Sequence, residues 1–141
     1  AFMLELLELK GGQNVLEIGT GSGWNAALIK EIVGQKGSVT TIEYDKELAE
    51  KAREKIRSVV EVIVGDGSRG YEKNAPYDRI IVTCAAPYIL DAWKNQLKDN
   101  GIIVLPEGGD LQAMIKAIKK GEEFMRDKHG HFRFVPLRGE F

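Results

Sequence analysis

The chain has 141 residues, with 21 acidic and 20 basic side chains, a formal net charge of −1 and 43% hydrophobic residues. A chain of this length buries roughly 70% of its unfolded surface, so residues 1–141 can form a single domain without disulfides or metals. The near-neutral charge gives no electrostatic footprint for nucleic acid or anionic membranes. No apolar run approaches the roughly 20 residues of a membrane helix. The lone Cys84 excludes an internal disulfide, and we expect a cytoplasmic monomer.

The predicted elements alternate between helix and strand along the chain. Apolar periodicity predicts helices over residues 3–10, 24–33, 46–56 and 89–97, the first ended by Gly11-Gly12 and the third capped by Asp45. Short apolar or β-branched segments predict strands over residues 14–18, 38–44, 59–64, 78–83 and 102–105. This order predicts an α/β protein with a mostly parallel sheet covered on both faces. Residues 111–119 and 122–137, on either side of Lys120-Gly121, predict an antiparallel hairpin at the edge.

A glycine-rich loop, Gly19-Thr20-Gly21-Ser22-Gly23, lies between the first predicted strand and the helix that follows it. In an open α/β sheet, small residues at this point let a nucleotide-like ligand approach backbone N–H groups at a helix N-terminus. A dinucleotide fingerprint would need glycine at position 24, where the chain has Trp24, so NAD is disfavoured. A phosphate-binding P-loop is also disfavoured, because no Lys-Ser or Lys-Thr pair follows.

Three acidic residues fall at the C-terminal ends of three successive predicted strands: Glu17, Glu43 and Asp66. Three carboxylates would repel a polyphosphate, but they suit a ligand with an ammonium group, two ribose hydroxyls and an adenine amino group. S-adenosylmethionine is such a ligand, with its ammonium near Glu17, its ribose at Glu43 and its adenine at Asp66. The alternative interpretation is that the acids are ordinary strand-end residues and that the glycines only turn the chain.

Four segments resemble the class I S-adenosylmethionine methyltransferases and, within them, the protein-L-isoaspartate O-methyltransferase family. They are residues 15–27 with the glycine loop, residues 64–71 with Gly65-Asp66-Gly67, residues 75–83, and Phe134-Val135-Pro136-Leu137. The resemblance spans nearly the whole chain and implies a Rossmann-like three-layer sandwich. It also implies methyl transfer from S-adenosylmethionine to the free carboxylate of L-isoaspartyl residues in damaged proteins, with S-adenosylhomocysteine as product.

The site residues expected on this basis fall into two groups. The cofactor-binding group is Glu17, Gly19, Thr20, Gly21, Ser22, Gly23, Glu43, Tyr44, Asp66 and Gly67. The substrate-binding group, which the resemblance alone implies, is Ala85, Pro87, Val135, Pro136 and Leu137. The family's active-site serine would precede Ala1, so we expect the N-terminal part of the family fold to be absent, an incomplete acceptor site and no catalytic residue here.

The expected chemistry needs no dedicated base, because a carboxylate with a pKa of about 4 is already ionised at neutral pH. Cys84 is predicted to be a small buried filler, and His129 and His131 give no convincing metal site, so no metal is expected. Two alternatives stay open: a methyltransferase acting on a nucleic acid or a small metabolite, and a non-catalytic cofactor-binding remnant. The absence of a basic, aromatic stripe argues against nucleic acid as a partner.

Overall fold

The computed structural model describes residues 2–141. The helices are α1 (Phe2–Leu7), α2 (Trp24–Val33), α3 (Lys46–Ile56) and α4 (Asp91–Gln96), with two short 3-10 helices at Gly67–Arg69 and Glu72–Asn74. The strands are β1 (Asn14–Ile18), β2 (Ser38–Glu43), β3 (Glu61–Val64), β4 (Tyr77–Val82), β5 (Leu97–Gly108), β6 (Gln112–Lys120) and β7 (Glu123–Phe132). No helix among these residues is both long enough and apolar enough to span a lipid bilayer.

All seven strands form one sheet in the order β3-β2-β1-β4-β5-β6-β7. The first five strands in this order pair in parallel, and β5, β6 and β7 pair antiparallel. The predicted parallel sheet with a C-terminal antiparallel hairpin is therefore confirmed. The strand order reverses beside β1, which places the glycine loop at the point where an open α/β sheet forms a ligand crevice.

The core has two layers because successive strand residues point to opposite faces of the sheet. Val15 packs with Ala26 and Ile29 of α2 on one face, whereas Leu16 packs with Trp93 of α4 on the other. All five of these residues are fully buried. Helices therefore cover both faces of the sheet, as the predicted three-layer sandwich requires.

Several predicted boundaries were wrong for local reasons. Helix α1 ends at Leu7, before Gly11-Gly12, and Glu8 turns the chain with a φ of 53°. Strand β3 begins at Glu61 because the N–H groups of Val59 and Val60 still donate to the carbonyl of Ile56 at the end of α3. Helix α4 begins at Asp91, two residues later than predicted, because Leu90 has an extended backbone conformation.

Two of the last three predicted strands also differ from the structure. Strand β5 begins at Leu97 and continues through Pro106, which pairs with Met114 of β6. Strand β7 ends at Phe132, well before the predicted end at residue 137. The residues after β7 leave the hairpin and cross to the loop after β4.

Candidate functional site

A cavity of about 650 Å³ opens at the carboxyl ends of β1, β2 and β4. Such a volume is typical of a small-molecule site. The predicted residues that line it are Glu17, Gly19, Thr20, Gly21, Ser22, Glu43, Tyr44, Gly67, Val135, Pro136 and Leu137. The structure thus brings most of the predicted cofactor residues and part of the predicted substrate group to one cavity.

The glycine loop forms the inner edge of the cavity. Gly19 has a φ of +96°, and a Cβ placed there would lie 2.6 Å from Oγ1 of Thr83. Gly23 also has a positive φ, of +87°, but it faces Ile56 of α3 and does not line the cavity. Gly19 therefore allows the loop to lie close to the end of β4, whereas Gly23 serves the turn into α2.

Glu17 lies beneath the loop and is completely buried. Its Oε1 accepts a hydrogen bond from Thr41 Oγ1 at 2.6 Å, and its Oε2 accepts one from Asn25 Nδ2 at 2.8 Å. Burial raises the pKa of Glu17 to about 7, opposed by these two hydrogen bonds and assisted by the negative charge of Glu43. Each oxygen of Glu17 thus has one protein donor and can accept another, so the predicted contact with a ligand's ammonium stays a prediction.

Glu43, at the end of β2, ties the loop to the strand. Its Oε1 accepts from the backbone N–H of Gly21 at 3.0 Å, and its Oε2 accepts from that of Asp45 at 3.1 Å. An ionised carboxylate offers about four lone-pair positions. Two of these positions are occupied, so the carboxylate, which lines the cavity, can accept from two further hydroxyl donors.

Asp66 lies outside the main cavity and lines an adjoining one of about 420 Å³. Its Oδ1 accepts from the backbone N–H of Ser68 at 3.0 Å and its Oδ2 from that of Glu140 at 2.9 Å. Partial burial works to raise the pKa of Asp66, but the donors from Glu140 and Ser68 hold it below its ordinary value. Tyr44 lines both cavities. The expected convergence of three carboxylates is thus only partial: two share one cavity and the third lies next to it.

The C-terminal segment, residues 133–140, covers the site. Ala85 donates its N–H to the carbonyl of Val135 at 2.7 Å and accepts from the N–H of Leu137 at 2.8 Å. The guanidinium of Arg138 lies 4.7 Å from the centroid of the Tyr44 ring, a cation–π contact at the cavity rim. Of the predicted substrate group, Ala85 is buried in this backbone pairing and Pro87 is exposed, and neither lines the cavity.

Sequence reasoning missed four residues that shape the site: Asn25, Thr41, Thr83 and Arg138. Thr83 Oγ1 lies 3.0 Å from the carbonyl oxygen of Ile18 and 2.7 Å from that of Gly19, and its hydroxyl can donate to either one. These contacts fix the start of the loop. The available signal for Thr41 was a hydroxyl in a strand predicted to be central in the sheet, since a buried hydroxyl needs a partner. Arg138 carried no sequence signal because its contact depends on the path of the C-terminal segment.

Cys84 forms part of the cavity wall and is buried, as predicted. Burial raises the pKa of its thiol to about 12, with a smaller contribution from the charge of Glu43. Among residues 2–141, no group of three or more His, Cys, Asp or Glu side chains is arranged to hold a metal ion.

The parallel sheet, the loop after β1 and the acids at the ends of β1 and β2 together define a class I S-adenosylmethionine-dependent methyltransferase. A solved protein-L-isoaspartate O-methyltransferase superposes with a TM-score of 0.93 and 31% identity, covering 98% of this chain and 46% of that one. A beta-aspartate methyltransferase (PCMT) of Plasmodium falciparum, solved with S-adenosyl-L-homocysteine, shares the fold at a TM-score of 0.84 and 21% identity, covering 96% and 71%.

The family model described as protein-L-isoaspartate(D-aspartate) O-methyltransferase (PCMT) matches residues 1–141. Protein-L-isoaspartate O-methyltransferase 2 of Archaeoglobus fulgidus is 52% identical over all of this chain and 67% of its own length. The chain belongs to the protein-L-isoaspartate O-methyltransferase family. It spans about two thirds of the length of the curated relatives and less than half of one solved structure. The match does not favour the alternatives of a nucleic-acid or metabolite methyltransferase.

Proposed function

We propose that the protein transfers a methyl group from S-adenosylmethionine to the free carboxylate of L-isoaspartyl residues in damaged proteins. One observation carries the proposal. The glycine loop, Glu17 and Glu43 line a single cavity, and the segment Val135, Pro136 and Leu137 lines its other side. A methyl donor held by the loop and the acids would therefore face a peptide that lies along this segment.

The cavity suits each part of the methyl donor in a different way. The ammonium would lie toward Glu17, which forms no ion pair with a basic residue among those the structure describes. The ribose hydroxyls would donate to the lone-pair positions of Glu43 that the protein leaves unused. The adenine would lie against Ile42, Tyr44 and Leu48, with its amino group directed toward the adjoining cavity that holds Asp66. The ligand's carboxylate would lie near the N-terminus of α2, where the helix dipole favours negative charge.

The reaction depends on the alignment of the two reactants and on the exclusion of water more than on proton transfer. When bound, the cofactor supplies a sulfonium methyl whose bond to sulfur breaks as the bond to the acceptor oxygen forms, leaving a methyl ester and S-adenosylhomocysteine. The isoaspartyl carboxylate is already ionised, so no residue of this chain has to remove a proton. Loop, acids and C-terminal segment would align the reactants, an effect that can supply roughly 7–11 kcal/mol. They would also exclude water from the nucleophile.

The remaining expectations extend this proposal. We infer that residues 1–141 act as a single S-adenosylmethionine-binding domain, that the protein is a cytoplasmic monomer, and that its partners are isoaspartyl peptides and proteins and not nucleic acid. Sedimentation at several concentrations tests the monomer.

The proposal is tested by methyl transfer from labelled S-adenosylmethionine to an isoaspartyl peptide, with the same peptide containing ordinary aspartate as control. We expect label on the isoaspartyl peptide only. Glu43→Gln should weaken S-adenosylhomocysteine binding on the order of tenfold, because a charged acceptor for two hydroxyls is lost. Glu50→Gln, on the exposed face of α3, is the matched control and should bind normally. Binding without transfer would favour the remnant, and transfer to RNA alone would overturn the proposal.

A further inference from the structure

Glu17 is a fully buried carboxyl group whose partners are all uncharged. Its two hydrogen-bond donors, Thr41 and Asn25, are neutral. None of the ion pairs found within residues 2–141 includes Glu17. A buried carboxylate that lacks a cation is costly, so such a group stays neutral unless a positive charge arrives from outside.

The hydrogen bonds around Glu17 can accommodate either protonation state. Thr20 Oγ1 and Thr41 Oγ1 lie 2.7 Å apart, and either hydroxyl can be the donor. When Glu17 is charged, Thr41 donates to it and Thr20 donates to Thr41. When Glu17 is protonated, its own O–H can donate to Thr41, which then donates to Thr20. The chain of two hydroxyls thus reverses direction without any movement of heavy atoms.

One charged residue near Glu17 changes its pKa. Glu43, at the end of β2, carries a like charge, and together with burial it holds the pKa of Glu17 at about 7. The other elements packed around it present neutral groups: Asn25 from α2, Thr20 from the glycine loop, and the Cys84 thiol after β4, whose raised pKa keeps it uncharged. Among residues 2–141, Arg138 is the one basic residue that lines the cavity, and its guanidinium lies over the ring of Tyr44 at the rim. A cation placed beneath the glycine loop would therefore be the positive charge that acts on Glu17 directly.

We propose that Glu17 is a proton-coupled positioning residue: the ligand's ammonium, on reaching the cavity, ionises Glu17, and the carboxyl proton passes to solvent. The inference rests on the proposed function, because it takes S-adenosylmethionine as the ligand. Charge balances in this step, since a neutral carboxyl and a cationic ligand become an ion pair and one released proton. The new ion pair holds the hydroxyls in the arrangement described for ionised Glu17, in which Thr41 donates to Glu17 and Thr20 donates to Thr41. Thr20 belongs to the glycine loop, so the loop is held as well.

The test is titration calorimetry with S-adenosylhomocysteine, which carries the same ammonium but no transferable methyl. It is run at about pH 6.5, where an α-amino group is still largely protonated, in two buffers with different enthalpies of ionisation. We expect release of on the order of half a proton or more per ligand. Affinity should increase as pH rises from about 5.5 to about 7, because the bound state is the ionised one.

Two comparisons isolate the role of Glu17. Methylthioadenosine, which has the nucleoside and thioether but no ammonium, should bind without proton release. Glu17→Gln keeps the volume and can hydrogen-bond to both Asn25 and Thr41, as protonated Glu17 does. It should bind S-adenosylhomocysteine on the order of tenfold more weakly, with no proton release and little pH dependence. Glu50→Gln should release the same number of protons per bound S-adenosylhomocysteine as the wild type.

The outcomes separate this inference from the proposed function. No binding of S-adenosylhomocysteine at any pH would overturn the proposed function. Binding with no proton release, or with the same release by methylthioadenosine, would overturn the inference and leave the proposed function standing. The methylthioadenosine comparison uses the wild-type protein, so it decides the matter even if Glu17→Gln does not fold.

Discussion

The carboxylate of Asp66 accepts a hydrogen bond from the backbone N–H of Glu140 at 2.9 Å, although the two residues are 74 positions apart in the chain. The backbone carbonyl of Glu140 also accepts a hydrogen bond from Ser68 Oγ at 3.2 Å. Gly139 allows this contact, since a Cβ there would lie 2.0 Å from Asp66 Oδ1 and its φ is +142°. Asp66 therefore anchors the end of the segment that covers the cavity.

A double-mutant cycle tests this anchor. Gly139→Ala should displace the Glu140 N–H from Asp66, and Asp66→Asn should remove the charge that it binds. Each change should lower the free energy of unfolding by about 1.5–3 kcal/mol, the net value of a hydrogen bond to a charged group. Because both remove the same contact, urea unfolding should show the double variant losing less than the sum. Strict additivity would mean that the contact contributes nothing.

The buried carboxyl of Glu17 should make stability depend on pH. Burial raises its pKa from an ordinary 4.5 to about 7 in the folded chain, so the folded state binds the proton more tightly than the unfolded state. Its contribution is therefore fully present below about pH 4.5 and is lost as pH rises toward 7, by about 3 kcal/mol. Urea unfolding of wild type and Glu17→Gln should show the variant gaining relative stability across this window. Parallel curves for the two proteins would contradict the prediction.

The Cys84 thiol should resist alkylation. Burial raises its pKa to about 12, so the reactive thiolate is scarce at neutral pH. We expect iodoacetamide to modify the folded protein at about pH 8 on the order of a hundredfold more slowly than the urea-unfolded protein. S-adenosylhomocysteine should slow the reaction further, since Cys84 lines the cavity. Equal rates with and without urea would show that the thiol is accessible and ionisable.

Arg79 should affect stability without affecting the ligand site. Its buried guanidinium donates from Nε to the carbonyl of Leu7 at 2.7 Å and from Nη2 to that of Glu8 at 3.2 Å, which ends α1. Arg79→Met would leave both carbonyls without this donor and should cost about 2–3 kcal/mol in urea unfolding. Lys73→Met, at an exposed position, is the control and should be near neutral. A loss of S-adenosylhomocysteine affinity in Arg79→Met would contradict this separation.

Local patterns predicted the parallel part of the fold well. The apolar period defined β1 and α2, and the side chain of Asp45 caps α3 by accepting from the N–H groups of Glu47 and Leu48, as predicted. These features depend on neighbours along the chain, which is the information that a sequence displays. The end of α1 was predicted wrongly because it depends on Arg79, which is 72 positions away from Leu7.

In the site, too, features set by sequence neighbours and strand order were predicted, whereas contacts between distant residues were not. The glycine loop and the position of Glu43 were predictable because the ends of parallel strands meet at one edge. The hydrogen bonds from Thr41 and Asn25 to Glu17, and the one from Glu140 to Asp66, could not be inferred from strand order. Pro87 was assigned to the acceptor site through resemblance alone, and it lies exposed outside the cavity.

The backbone pairing of Ala85 with Val135 and Leu137 has a consequence for the order in which the protein is made. The sheet and the glycine loop emerge from the ribosome first, but the roof of the pocket is supplied by residues translated more than a hundred positions after Glu17. A nascent chain stopped before residue 135 would expose the apolar floor of the pocket to solvent. The cavity therefore gains this wall only after residues 135–137 have been translated, later than any of the seven strands.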